Sequence, residues 1–82
     1  MSSARELLTY LTKSLVQNPE EVEITTADTG EDITVFQVSV NPEDMGRLIG
    51  RSGRTAKAVR ELVGKAAACH QEGRVQVVIL EE

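Results

Sequence analysis

Two glycines separated by two residues, Gly50 and Gly53, interrupt a stretch of helical sequence and limit how this chain can fold. The residues on either side, about 42–49 and 54–70, have the composition and spacing of helices. Glycine ends the first helix and begins the second, because it adopts backbone conformations that other residues avoid. The sequence therefore predicts two helices joined by a very short turn, Arg51-Ser52.

The rest of the chain predicts one further helix and three strands. Leucines at spacings of three and four indicate an amphipathic helix over about 3–17, and Ser3 with Glu6 fits a capping box at its start. Asn18-Pro19 ends this helix. Alternating or β-branched apolar residues predict strands over residues 21–26, 32–40 and 75–80. The first two form a hairpin with a turn at 28–31.

The order of these elements predicts the topology. It runs helix, strand, strand, helix, helix, strand, and the crossover through two helices makes the last two strands parallel. We therefore expect an α+β fold, with a three-stranded mixed sheet and all helices on one face. The strand at 32–40 is central, and 82 residues fit a single domain, 1–82.

Charge is unevenly distributed along the chain. The net charge of −4 argues against a general nucleic-acid binder. Residues 43–65, however, contain six basic and three acidic residues, against three basic and ten acidic residues elsewhere. A local positive field attracts phosphate even on an acidic molecule. Small domains with segregated charge also occur without any ligand, so both interpretations stay open.

Several classes of protein are not expected. No apolar run approaches the roughly 18 residues that a membrane span needs, and the N-terminus lacks a signal-peptide core. A lone cysteine, Cys69, cannot form an internal disulfide, so we expect a cytoplasmic protein. Cys69 and His70 lack further ligands or a base, which predicts helix-end packing and no catalytic site, metal site or cofactor.

The turn between the two helices has the chemistry of a phosphate-binding loop. Its glycines allow the backbone to approach a ligand closely, and the amides at the start of the next helix suit an anion. Arg51, Arg54 and Lys57 surround the same place. This arrangement suits a sugar-phosphate backbone, although a simple connector between two helices could also use glycine.

Residues 48–54, L-I-G-R-S-G-R, resemble the KH signature I-G-x-x-G-[KR], and the order of elements resembles the type II KH fold. Over its whole length the chain is similar to the KhpA-type bacterial proteins, which consist of a single KH domain. The N-P-E-E-V segment at 18–22 and the block at 42–60 carry that similarity. Thr55 departs from the family, whose members often have isoleucine there.

The resemblance implies non-catalytic binding of single-stranded RNA, with the loop clamping the backbone of about four nucleotides. Bases would lie in a groove between the loop helices and a strand. The residues implied to meet the RNA backbone are Gly50, Arg51, Ser52, Gly53, Arg54 and Lys57. Ile49 is implied to line the groove, with Ala56, Val59 and Val38 as weaker candidates. The chain has no Trp, one Tyr and one Phe, so low base specificity is expected.

The family also implies a cellular role: RNA chaperoning, a link to cell-wall synthesis and cell-length control, and pairing with a KhpB-type (Jag/EloR) KH protein. An alternative is a protein-interaction module that dimerises or docks on a larger RNA-binding partner, with no small-molecule substrate in either case. Gly64, inside the last helix, allows two interpretations. It packs on the sheet, or it is a helix–helix contact in a dimer.

Overall fold

The computed structural model describes residues 3–28 and 32–80 and has the predicted order of elements. Residues 29–31 of the expected hairpin turn lie outside the described residues. The helices and strands are α1 (Ser3–Leu15), β1 (Glu23–Asp28), β2 (Ile33–Ser39), α2 (Met45–Ile49), α3 (Arg54–Cys69) and β3 (Arg74–Ile79). Short 3₁₀ turns lie at Pro19–Glu21, Pro42–Asp44 and Arg51–Gly53.

The three strands form a mixed sheet in the order β1-β2-β3. β1 pairs antiparallel with β2, and β2 pairs parallel with β3, so that Phe36 lies opposite Thr26 on one side and Val77 on the other. This confirms the α+β fold of type II KH topology. The outer side of β3 has no strand partner among the described residues.

The hydrophobic core lies between the helices and one face of the sheet. Leu8 of α1, Phe36 of β2 and Val63 of α3 are almost completely buried there. Each such side chain stabilises the fold by about 1.5–3 kcal/mol relative to an exposed one. The Thr12 hydroxyl is also buried, with no hydrogen-bond partner among the described residues.

The start of α1 is capped differently from the sequence prediction. In a capping box the Glu6 side chain would accept from the Ser3 amide. Here the Glu72 carboxylate accepts from the amides of Ser3 (2.7 Å) and Ala4 (3.0 Å). Glu72 follows α3, so this pair of bonds ties the start of α1 to the α3–β3 connection.

Within residues 3–28 and 32–80, no helix combines the length and the apolar character that crossing a membrane requires.

Candidate nucleic-acid interface

A buried carboxylate, Asp44, fixes the start of α2. Its side chain is fully buried and accepts hydrogen bonds from the amides of Gln17 and Asn18, both at 3.1 Å, and from Asn18 Nδ2 at 3.0 Å. Arg47, one turn along, adds an ion pair at 3.7 Å. The segment that follows α1 is thereby joined to the turn that begins α2.

Asn41 caps the start of the 3₁₀ turn that precedes α2. Its Oδ1 accepts from the Glu43 amide at 2.8 Å, which satisfies one of the free amides at the start of the 3₁₀ turn 42–44. The predicted helix over about 42–49 is therefore a 3₁₀ turn followed by five residues of α-helix. α2 is short, and its direction depends on the contacts at its first residues.

The loop between α2 and α3 requires glycine at a defined position. Gly50 has φ 76° and ψ 178°, a conformation available essentially only to glycine. A Cβ built there would lie 2.6 Å from Thr55 Cβ. Ser52 (φ 57°) and Gly53 (φ 75°) are both left-handed, so the backbone reverses within three residues and enters α3.

The cationic side chains of the loop extend into solvent. Arg51, Arg54 and Lys57 are exposed, and none of them lies within 4.0 Å of a carboxylate in the described part of the chain. They surround the N-terminus of α3, where the helix dipole adds partial positive charge. The structure thus brings the predicted backbone-binding residues together around one exposed turn.

A groove lies beside α3, along the unpaired side of β3. It has a volume of about 410 Å³ and is lined by Arg60 and by residues 75–79. Arg60 Nε donates to the carbonyl oxygen of Val77 at 3.2 Å and so crosses from the helix to the strand. The loop residues do not line this groove, but Lys57 precedes Arg60 by three residues and occupies the same side of α3.

Sequence reasoning missed Arg60 and the edge of β3, although the spacing of Gly53, Lys57 and Arg60 at four and three residues was a signal for one helix face.

The sequence-based prediction was wrong about three of the proposed groove residues. Val38, Ala56 and Val59 are 1%, 4% and 5% exposed and belong to the core. They fill the space between α3 and the sheet, so a ligand cannot reach them. Ile49, by contrast, is half-buried beside the loop.

Two further expectations for α3 change with the structure. A Cβ at Gly64 would meet nothing within 4 Å, so the interpretation that this glycine packs on the sheet is wrong. Cys69 and His70 are exposed and do not pack at the helix end. Within the described residues no group of three His, Cys, Asp or Glu could hold a metal ion.

Comparison with known proteins identifies the family of this chain. A family model described as "KhpA/KhpB, KH domain" matches residues 5–79. The chain belongs to this family. It is similar to "RNA-binding protein KhpA" of Clostridium acetobutylicum, with 45% identity over 93% of this chain and 99% of the relative. The proteins of the same name from Clostridium perfringens and Leifsonia xyli are 43% and 49% identical, over 93% and 87% of this chain and 99% and 91% of theirs.

The family match confirms the resemblance seen in the sequence and places the chain in a non-enzymatic family of KH domains. The turn at residues 50–53 lies between the two adjacent helices α2 and α3. The relatives are bacterial proteins, and their similarity extends over nearly the whole chain.

The first prediction concerns the glycine requirement. We expect Gly50→Ala to destabilise the protein by about 1–3 kcal/mol, because an alanine would be strained and would collide with Thr55. Gly46→Ala is the matched control: it lies in α2, one turn earlier, and its Cβ would meet nothing within 4 Å. That change should be neutral or stabilise by about 0.5–1 kcal/mol. Urea unfolding measures both, and equal effects would contradict the assigned loop geometry.

The second prediction concerns Asp44 and pH. Burial alone would raise the pKa of this carboxyl, but the hydrogen bonds from Gln17 and Asn18 and the charge of Arg47 lower it below its ordinary value of 3.8. A pKa lowered by folding stabilises the protein above about pH 4, and that contribution is lost as the pH falls through the folded-state value.

Asp44→Asn should therefore be less stable than the unaltered protein at pH 7, and should lose less stability between neutral and acidic pH. Thermal unfolding followed by circular dichroism over a pH series measures this. Glu43→Gln is the control, since the neighbouring Glu43 is exposed and should leave the acid dependence unchanged. An Asp44→Asn protein as acid-sensitive as the unaltered one would refute the role of this carboxylate.

Proposed function

We propose that this KH domain binds single-stranded RNA without catalysis, clamping the RNA backbone on the turn Gly50–Gly53. The residues assigned to the backbone are those of the turn with Arg54 and Lys57, and Ile49, half-buried beside the turn, is assigned to the base nearest the loop. The names of the relatives support RNA as the ligand, and the geometry of the loop supports the mode of binding.

The exposed turn is the observation that carries this proposal. Gly50 and Gly53 expose the backbone, and Arg51, Arg54 and Lys57 supply positive charge that no carboxylate within 4.0 Å neutralises in the described residues. Phosphate favours such a site, because charge-assisted hydrogen bonds and the helix dipole act in the same direction. The acidic remainder of the chain disfavours phosphate elsewhere, which confines RNA to this side.

The groove between α3 and β3 is the assigned place for bases. It starts about two helical turns from the loop, since Arg60 follows Gly53 by seven residues, a rise of roughly 10 Å. A strand clamped at the loop can therefore continue alongside β3. The only aromatic residues of the chain, Tyr10 and Phe36, lie on α1 and in the core, so bases are held by apolar and polar contacts without aromatic stacking.

For the cellular role we propose a cytoplasmic RNA chaperone or post-transcriptional regulator. It acts as a homodimer or with a KhpB-type KH protein, within the control of cell-wall synthesis and cell length. One short KH surface binds RNA weakly, and joining two of them raises the effective concentration of the second site. The family description, which joins KhpA and KhpB, supports the pairing with a second KH protein. The other assignments follow from the resemblance seen in the sequence.

The third prediction tests the loop. Arg51→Asp with Ser52→Asp should reduce RNA affinity below detection, because two carboxylates would stand where phosphate binds. The fold should be retained, since both positions are exposed and aspartate tolerates the left-handed conformation of residue 52. Fluorescence anisotropy with a labelled single-stranded RNA measures affinity, and circular dichroism measures folding.

The control is Lys65→Asp with Ala68→Asp, which makes the same change in net charge on exposed residues of α3. Lys65 follows Gly53 by twelve residues, a distance of roughly 18 Å along the helix. That exceeds the screening length of about 8 Å at physiological ionic strength. Comparable losses in both variants would mean that net charge, and not the loop, determines RNA binding.

A second candidate function, dimerisation, is favoured by one exposed apolar residue. Leu62 is 49% exposed in the middle of α3, and the exposed Ala58 and Cys69 lie on the same side at spacings of four and seven. Gly64, two residues from Leu62, lies on a different side of α3, the side of Lys57 and Arg60. The structure thus favours the Leu62 side of α3 over Gly64 for the dimer contact that we propose.

The fourth prediction separates these two sides. Leu62→Glu should shift the protein to monomer, because it places a charge in an apolar contact, whereas Gly64→Ala should leave the oligomeric state unchanged. Light scattering over a concentration series measures the mass of each variant. A protein that is monomeric before mutation, or a dimer unaffected by Leu62→Glu, would refute this contact surface.

A further inference from the structure

Alternate residues of β3 direct their backbone N–H and C=O groups to opposite sides of the strand. The Leu80 amide donates to the Val38 carbonyl at 2.9 Å, so residues 76, 78 and 80 direct their backbone groups toward β2. Residues 75, 77 and 79 direct theirs to the opposite side, into the groove. A strand edge without a partner offers both amide donors and carbonyl acceptors to a ligand.

Arg60 changes that edge at its centre. Its Nε donates to the Val77 carbonyl oxygen at 3.2 Å, which leaves that oxygen one lone pair for a ligand in the middle of the groove. The guanidinium carries five N–H donors in a planar fork and no acceptor, so four donors remain on the two Nη atoms. No carboxylate lies within 4.0 Å of Arg60 in the described residues. The centre of the groove therefore offers more donors than acceptors.

A planar fork of donors distinguishes between bases. Guanine presents N7 and O6 side by side, the pair that arginine binds most often in nucleic acids. Cytosine presents O2 and N3 side by side. In adenine and uracil each acceptor at an exposed edge is adjacent to a donor or a C–H group, so only one bond to the fork forms. In single-stranded RNA these edges are free to be contacted.

We propose that Arg60 is a specificity-determining residue, which makes the α3–β3 groove prefer guanine or cytosine over adenine or uracil at one position. This inference rests on the proposed RNA-binding function and names the bases that the groove selects. The groove, at about 410 Å³, falls within the range of roughly 300–1,000 Å³ typical of small-ligand sites. It therefore has room for a base beside the guanidinium.

The test measures affinity for four short single-stranded RNAs of uridine whose central nucleotides are uridine, adenosine, cytidine or guanosine. Lithium buffer keeps the guanosine strand unfolded. The unaltered protein should bind the cytidine and guanosine strands roughly 5- to 100-fold more tightly than the other two. Arg60→Lys keeps the charge but lacks the fork, so it should abolish this preference. Circular dichroism checks that the variant folds.

Lys57→Ala is the comparison for a phosphate contact. It should lower the affinity for all four strands by the same factor. It should also reduce the slope of log K against log salt by roughly 0.7, the value for one phosphate on a single strand. Equal affinity of the unaltered protein for all four strands would overturn this inference alone. So would an Arg60→Lys variant that keeps the preference. Failure of the unaltered protein to bind any strand would overturn the proposed function and this inference with it.

Discussion

The carboxylate of Asp44 holds the candidate site in place. It accepts three hydrogen bonds from Gln17 and Asn18 and forms an ion pair with Arg47, and its side chain is fully buried. A buried charge is tolerated only when its partners compensate for lost hydration. Because α2 has only five residues, these contacts at its start, together with the buried Leu48, determine where its other end, the glycine turn, is directed.

From that turn, α3 connects two surfaces of different chemistry. Its first residues surround an exposed backbone turn with cations, whereas Arg60, two turns later, reaches across to the edge of β3. Both surfaces lie along one side of α3, since Gly53, Lys57 and Arg60 recur at helical spacing. Val59 and Val63 lie on another side of α3, which faces the sheet and packs into the core.

Much of this was predictable from sequence because the signals are local. Hydrophobic spacing and the Gly50–Gly53 turn identified every helix and strand, with ends displaced by a few residues at most. What sequence could not identify depends on distant contacts. Glu72 caps α1 from sixty-eight residues away, and Arg60 meets Val77 only after the crossover places β3 beside α3. Val38 and Val59 looked available for a groove because apolar spacing does not reveal which apolar face is covered.

The central claim is that the glycine turn and the β3 edge form one continuous RNA-binding surface. It is tested most directly by titrating ¹⁵N-labelled protein with a short single-stranded RNA and following each backbone amide by NMR. The account predicts that resonances of residues 50–57, 60 and 75–79 shift together, while those of β1 and of the solvent-facing side of α1 do not. Shifts confined to α1 and β1, or shifts at the turn without any along β3, would contradict it.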